Sequence, residues 1–315
     1  MKIVFLDTET LGSDVKPQLD TFSKLGDVTF YDSTTAAQLL DRVEYAHVIV
    51  TNKVVITEEV MKASSQLKLI AITATGTNNV DLEAAKNIGI QVKNAVNYSS
   101  ESVAQQTFAM LLSLLNNIQE YDDFVKSGSY SDGQSFTWIG NSFSELNNKR
   151  FGIIGLGNIG TRVAEIATAF GAEVVYYSTS GIARDKRYQL VDKDTLFKTC
   201  DIISIHSPLN DKTKNFVDEN ELSQMKPSAV LLNTGRGGIV NEKALVNALN
   251  NNEISGACVD VFEKEPMSKD SVFYSINNKK KVLFSPHIAW ASKEARKKLL
   301  EITYQNVEEL VIDTE

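Results

Sequence analysis

Phe151-Gly152-Ile153-Ile154-Gly155-Leu156-Gly157-Asn158-Ile159-Gly160 is the stretch whose reading settles the fold. An apolar, strand-like run leads into glycines spaced G-x-G-x-x-G, and Thr161 to Phe170 continue as a helix-like run. A strand that turns sharply into a helix leaves backbone N–H groups pointing out of the helix N-terminus, where the helix dipole favours an anion. In that setting Gly155 permits the tight turn, Gly157 lets a pyrophosphate approach the backbone, and Gly160 lets helix and strand pack closely. Glycine spacing alone marks a loop. The strand before it and the helix after it point to a bound dinucleotide.

Outward from this motif, short apolar runs alternate with longer helix-period segments, the pattern of parallel sheets flanked by helices. The runs predict strands at Ile3–Leu6, His47–Val50, Leu67–Ile72 and Ile90–Val92 before the motif. They predict Phe151–Ile154, Glu173–Tyr177, Ile202–His206, Val230–Asn233, Ala257–Val261 and Val282–Phe284 from the motif onward. A dinucleotide fold begins with the strand that enters its glycine loop. Here that strand starts near 150, so the first 100 or so residues need an α/β core of their own. Glu101–Ile118 reads as a long connecting helix, with Ser99 or Ser100 able to cap it. Ser127–Ser144, rich in Ser, Gly and Asn, reads as a loop over the surface or a partner subunit. Ser292 to about Val311 reads as a final helix.

Composition narrows the functional classes. A chain of 315 residues is long for one core, which favours two domains. Its hydrophobic fraction of 43% and charged fraction of 23% are those of a globular protein. A net charge of −8 argues against a broad nucleic-acid face, which needs clustered Lys and Arg. Cys200 and Cys258 sit in or beside apolar runs and read as buried thiols in a reducing compartment. No metal-ligand spacing joins His47, His206 and His287 to the cysteines, and no metal is expected. No apolar run approaches a membrane span, and the short run Met1–Leu6 reads as a strand, so a cytoplasmic location is expected.

Three residues beyond the glycine loop have chemistry to offer. Arg236, in Asn233-Thr234-Gly235-Arg236-Gly237-Gly238, follows an expected strand and could grip a carboxylate with two parallel bonds. Glu265, in Asp260-Val261-Phe262-Glu263-Lys264-Glu265-Pro266, and His287, in Ser285-Pro286-His287-Ile288-Ala289-Trp290, each follow another. Open α/β sheets bind ligands beyond the carboxyl ends of their strands. An imidazole there can deliver a proton, and a neighbouring carboxylate would fix its tautomer and favour its charged form. Singly, each residue would pass for a surface or capping group; together they mark a site. His206 also ends an expected strand but has no such carboxylate in its local segment, which assigns it to the cofactor pocket. His47 reads as structural.

Carrying these motifs in this order, the chain resembles the D-isomer-specific 2-hydroxyacid dehydrogenase family over nearly all its length. The resemblance implies an α/β fold of two Rossmann-like domains, each a parallel sheet flanked by helices, with an interdomain active-site cleft. It implies a discontinuous substrate-binding domain at 1–100 plus 290–315 and a dinucleotide-binding domain at 101–289, the last helix returning to the first domain. It implies that Arg236, Glu265 and His287 are catalytic. It also implies that Ala74, Thr75 and Gly76, in Ala74-Thr75-Gly76-Thr77-Asn78-Asn79-Val80-Asp81, hold the substrate carboxylate. Cofactor contacts are expected at Gly155, Gly157, Asn158, Ile159, Ser178, Thr179, His206, Pro208, Thr234 and Asp260. Within the family the sequence is most similar to glycerate dehydrogenases, also called hydroxypyruvate reductases. That implies NAD or NADP as cofactor, hydroxypyruvate or glyoxylate as substrate, and a homodimer through the cofactor domains.

Departures from the family pattern bear on this reading. Gly235 stands where the family usually has Ala before the catalytic Arg. Ser178 stands where NAD-dependent members carry an Asp, and Thr179 where NADP-dependent members often carry an Arg; Arg184, Lys186 and Arg187 are the nearest bases. Two alternatives stand beside the dehydrogenase reading. One is a formate dehydrogenase-like enzyme, whose branch replaces the carboxylate partner of the histidine by Gln. The other is a non-catalytic dinucleotide-sensing module.

Overall fold

The computed structural model describes residues 1–313 and consists of two compact units, Met1–Ser99 with Trp290–Glu315, and Ser100–Ala289. The first unit runs β1 (Lys2–Phe5), α1 (Lys16–Asp20), β2 (Asp27–Phe30), α2 (Ala36–Val43), β3 (Val48–Thr51), α3 (Glu58–Ala63), β4 (Leu69–Ile72), α4 (Leu82–Ile88) and β5 (Gln91–Asn94). Its strands form one parallel sheet in the order β2-β1-β3-β4-β5. The strands β3, Val-Ile-Val-Thr, and β4, Leu-Ile-Ala-Ile, are buried along their whole length, as strands covered on both faces must be. Asp7, just past β1, accepts backbone N–H bonds from Asn52 at 2.9 Å and Lys53 at 2.6 Å, tying the end of β1 to the loop after β3.

The second unit runs α5 (Ser100–Leu115), α6 (Ile118–Lys126), β6 (Arg150–Ile154), α7 (Asn158–Ala169), β7 (Glu173–Tyr177), β8 (Gln189–Leu190), α8 (Lys193–Thr199), β9 (Ile202–Ile205), α9 (Glu219–Gln224), β10 (Val230–Asn233), α10 (Glu242–Asn250), β11 (Gly256–Val259) and β12 (Val282–Phe284). The chain then returns to the first unit as α11 (Lys293–Ile312). Ser292 caps α11 by accepting the Ala295 N–H at 3.1 Å. This helix buries Ala295, Leu299, Leu300, Val307 and Leu310 in a cluster with Ile3, Phe5, Val48 and Leu69.

The second unit's sheet is also parallel, in the order β12-β11-β10-β9-β6-β7-β8. From β6 the chain steps outward to β7 and β8, then crosses back to β9 on the other side of β6. That reversal is a topological switch point, where α/β sheets open a crevice for ligand.

Three elements differ from the sequence expectations. β2, Asp-Val-Thr-Phe, is a largely exposed edge strand and lacks the apolar run that marks a strand. The two-residue β8 is wholly exposed and gives no signal either. The helix expected over Glu101–Ile118 ends at Leu115, and a second one starts at Ile118 after Asn117 adopts a left-handed backbone with φ of 52°.

Candidate active site

Within the second unit, the residues that offer chemistry and those that suit a cofactor lie beyond the carboxyl ends of one sheet. The glycine loop follows β6, Ser178 follows β7 and His206 follows β9. Arg236 follows β10, Glu265 lies beyond β11 and His287 beyond β12. The sheet order places β9, β6 and β7 side by side and β12, β11 and β10 directly next to them.

The glycine loop is built for close approach. Gly155 has φ of +91°, and a Cβ there would meet the Ser207 backbone nitrogen at 2.9 Å. A Cβ on Gly160 would lie 2.2 Å from the Gly155 carbonyl oxygen, so helix α7 packs on its own loop only with glycine there. Beside Gly157, at the N-terminus of α7, a Cβ would meet nothing within 4 Å; that space is open to a phosphate. Next to the loop, His206 Nδ1 and Ser207 Oγ are buried without a hydrogen-bond partner among the described residues. Buried polar atoms of this kind call for a ligand or a water. These features fit a dinucleotide. The other His206 nitrogen, Nε2, lies 2.8 Å from Ser204 Oγ. Burial drives the His206 imidazole down to about 3. It is therefore neutral at working pH and poorly suited to deliver protons.

Past β7, Ser178 Oγ donates to the Ile182 carbonyl at 2.8 Å. Arg187 is held by Asp185 at 2.6 Å and by Glu165 of α7 at 3.2 Å. Thr234 is buried and its hydroxyl lies 3.0 Å from that of Thr107. Thr107 donates to the Val103 carbonyl at 2.7 Å, so Thr234 is the donor between the two hydroxyls and keeps its lone pairs for other donors. Pro208 is exposed and Thr179 half-buried.

Short, bonded turns set the side chains of His287, Glu265 and Arg236. His287 Nδ1 lies 2.7 Å from Glu265 Oε2. Glu265 Oε1 accepts the Phe262 N–H at 3.0 Å, which fixes the carboxylate's second oxygen. His287 has a left-handed backbone, φ 55°, an uncommon conformation for a residue with a Cβ. The turn is held by Asp260, whose carboxylate accepts from Ser285 Oγ at 2.5 Å, Ile288 N at 2.9 Å and Ala289 N at 3.0 Å. The His287 N–H donates to the Asp260 carbonyl at 2.7 Å. Burial nonetheless pushes the Asp260 carboxyl up from its ordinary range, against the opposing pull of these donors. Expected as a cofactor contact, Asp260 is found bracing the histidine's turn. Arg236 is half-buried, with Nη1 donating to the Gly235 carbonyl at 2.8 Å. Asn233 closes its loop, donating to the Arg236 carbonyl at 3.0 Å and accepting from Gly235 N at 3.2 Å.

Sequence reading missed the work of Ser285 and Asn233. The signal was present: each is a small polar residue at the end of an apolar strand, where side chains fold back onto the loop that follows. Ala74–Gly76 lies in the first unit, past β4, where Asn94 Nδ2 donates to the Thr75 carbonyl at 2.6 Å. Among the described residues there is no cluster of side chains able to hold a metal, and no helix is long and apolar enough to cross a membrane.

Known proteins match this arrangement. A family model described as the NAD binding domain of D-isomer specific 2-hydroxyacid dehydrogenases matches residues 108–289. A glycerate dehydrogenase from Methylorubrum extorquens is 35% identical, over 98% of this chain and 96% of that protein. A hydroxypyruvate reductase from Blautia hydrogenotrophica is 32% identical, over 99% and 97%. Among solved structures, a D-lactate dehydrogenase from Aquifex aeolicus complexed with NAD and lactic acid superposes with a TM-score of 0.86. Its identity is 28%, with 99% of this chain and 96% of that one covered.

The half-buried His206 gives a stability test. Its folded value of about 3 lies below the free value of 6.5, so the unfolded chain takes up the proton first. Its contribution is complete above 6.5 and is lost as pH falls toward 3. At pH 5 the loss is about 2 kcal/mol. The thermal midpoint of the ligand-free protein should fall less between pH 7 and 5 in His206→Gln than in the wild type. Parallel curves would show that His206 is not held as a neutral ring.

Proposed function

The chain belongs to the D-isomer specific 2-hydroxyacid dehydrogenase family, and on that premise we propose that it reduces hydroxypyruvate to D-glycerate, reversibly, with glyoxylate as a second substrate. The 2.7 Å contact between His287 Nδ1 and Glu265 Oε2 carries this reading. A carboxylate on Nδ1 fixes the orientation of the ring and leaves Nε2 to exchange the proton. His287 then protonates the carbonyl oxygen of the 2-oxo acid during reduction and takes the proton back during oxidation. Arg236, with one guanidinium nitrogen anchored to its own loop, orients the substrate carboxylate with the planar fork that Lys lacks. The nicotinamide supplies or accepts the hydride when bound. Formate oxidation has no use for a proton donor, and a sensor has no use for a paired one; both are disfavoured by the Glu265–His287 contact.

NADH is the preferred donor in this reading. The Ser178 hydroxyl has its one proton on the Ile182 carbonyl, so it can accept from a ribose hydroxyl but has none for a 2′-phosphate. Arg187 is engaged by two carboxylates. Arg184 and Lys186 have no side-chain partner among the described residues and moderate the preference, which we place at about tenfold to a hundredfold, roughly 1.4 kcal/mol per factor of ten.

We further read the protein as a homodimer formed through the second unit. Ile118, Val125, Phe136, Trp138, Ile139 and Phe143 expose large apolar surface within one short segment, and Phe136 is 91% exposed. Such a patch favours a protein partner. Two buried free thiols, with Cys200 pushed up to about 11 by burial, suit the cytoplasm.

Absorbance of the reduced nicotinamide tests the function. Hydroxypyruvate should consume NADH, and carbon dioxide or buffer should not. His287→Ala should lower turnover by about two to four powers of ten with cofactor affinity nearly unchanged. Arg236→Lys should lower turnover and raise KM together. Wild-type turnover in His287→Ala, or no consumption with any 2-oxo acid, would refute the reading.

A further inference from the structure

Glu265 sits on a turn, Phe262–Glu265, that needs its own support, because a loosely held carboxylate cannot fix an imidazole. Two contacts supply it from outside the turn. Gly237, next to Arg236, lies so close beneath that a Cβ there would fall 1.8 Å from the Phe262 carbonyl oxygen. Glu242, the first residue of α10, accepts the Glu263 N–H on Oε1 at 2.7 Å. Glu242 is half-buried, and its place at a helix start already suits a carboxylate. That contact does more than begin a helix: it reaches out of α10 to the backbone of the catalytic turn.

We propose that Glu242 is a positioning residue for the reaction, holding the turn that presents Glu265 to His287. The proposal rests on the reading of that pair as the proton donor. The charged groups facing Glu242 are Glu263 and Glu265. Those facing His287 are Glu265 and Asp260. Burial, followed by the charges of Glu263 and Glu265, raises the Glu242 carboxyl above its ordinary range, while the bond from Glu263 opposes the rise. The hydrogen bond and the charge are separable. Glutamine keeps an acceptor for the Glu263 N–H and drops the charge; alanine drops both.

The test compares Glu242→Gln, Glu242→Ala and His287→Ala in NADH-dependent hydroxypyruvate reduction, together with backbone hydrogen exchange of the ligand-free proteins. In Glu242→Ala the 260–266 segment should exchange faster and kcat should fall about tenfold, with KM for NADH unchanged. In Glu242→Gln exchange should stay at the wild-type rate and kcat should drop by less than about threefold. Wild-type exchange and kcat in Glu242→Ala would overturn the proposal, and so would equal loss of kcat in both Glu242 variants. Should Glu242→Ala fail to fold, a roughly tenfold loss of kcat in Glu242→Gln overturns it, because glutamine keeps the acceptor for the Glu263 N–H. Wild-type turnover in His287→Ala would instead defeat the underlying reading of the pair, whatever the Glu242 variants do.

Discussion

The Asp260 carboxylate is the constraint on which the catalytic geometry depends. It stands just past β11 and gathers Ser285 Oγ, Ile288 N and Ala289 N, all from the turn that follows β12. Those bonds, with the His287 N–H on the Asp260 carbonyl, hold His287 in a left-handed backbone, a conformation that costs energy for any residue with a Cβ. With them, the imidazole of one strand's loop meets the carboxylate of the neighbouring strand's loop at 2.7 Å. Adjacent parallel strands deliver both partners to the same edge, and Asp260 ties their loops together.

Division of labour along the sheet follows from its topology. β6 carries the glycine loop and is flanked by β7 and β9, whose ends present Ser178 and His206. β10, β11 and β12 carry Arg236, Glu265 and His287. The two histidines at this edge show how environment assigns roles. His206, desolvated and next to a hydroxyl, is held neutral. His287, partly open to solvent and paired with a carboxylate, is the proton donor in the proposed reaction.

Much of this was legible in the sequence because the relevant signals are local. The strand–glycine–helix run fixed the cofactor loop, and the buried central strands stand out as continuous apolar runs. Arg236, Glu265 and His287 were readable as residues just past such strands. The missing parts depend on contacts distant in sequence. Asp260 reads as one more acid past a strand, and only the fold brings Ser285, Ile288 and Ala289 to it. Edge strands such as β2 and β8 are exposed and carry no apolar pattern. The break at Asn117 interrupts apolar periodicity on both sides, and a left-handed Asn is not distinguishable there from a helical one.

The central claim is that Glu265 holds His287 in the geometry that delivers a proton, and the rate of hydroxypyruvate reduction tests it most directly. Wild-type enzyme and Glu265→Ala should be compared with saturating NADH. Alanine removes the carboxylate that lies 2.7 Å from His287 Nδ1. The account predicts that kcat falls by about two powers of ten while KM for NADH stays unchanged. Wild-type kcat in the variant would contradict it, since it would mean that the carboxylate beside His287 has no part in proton delivery.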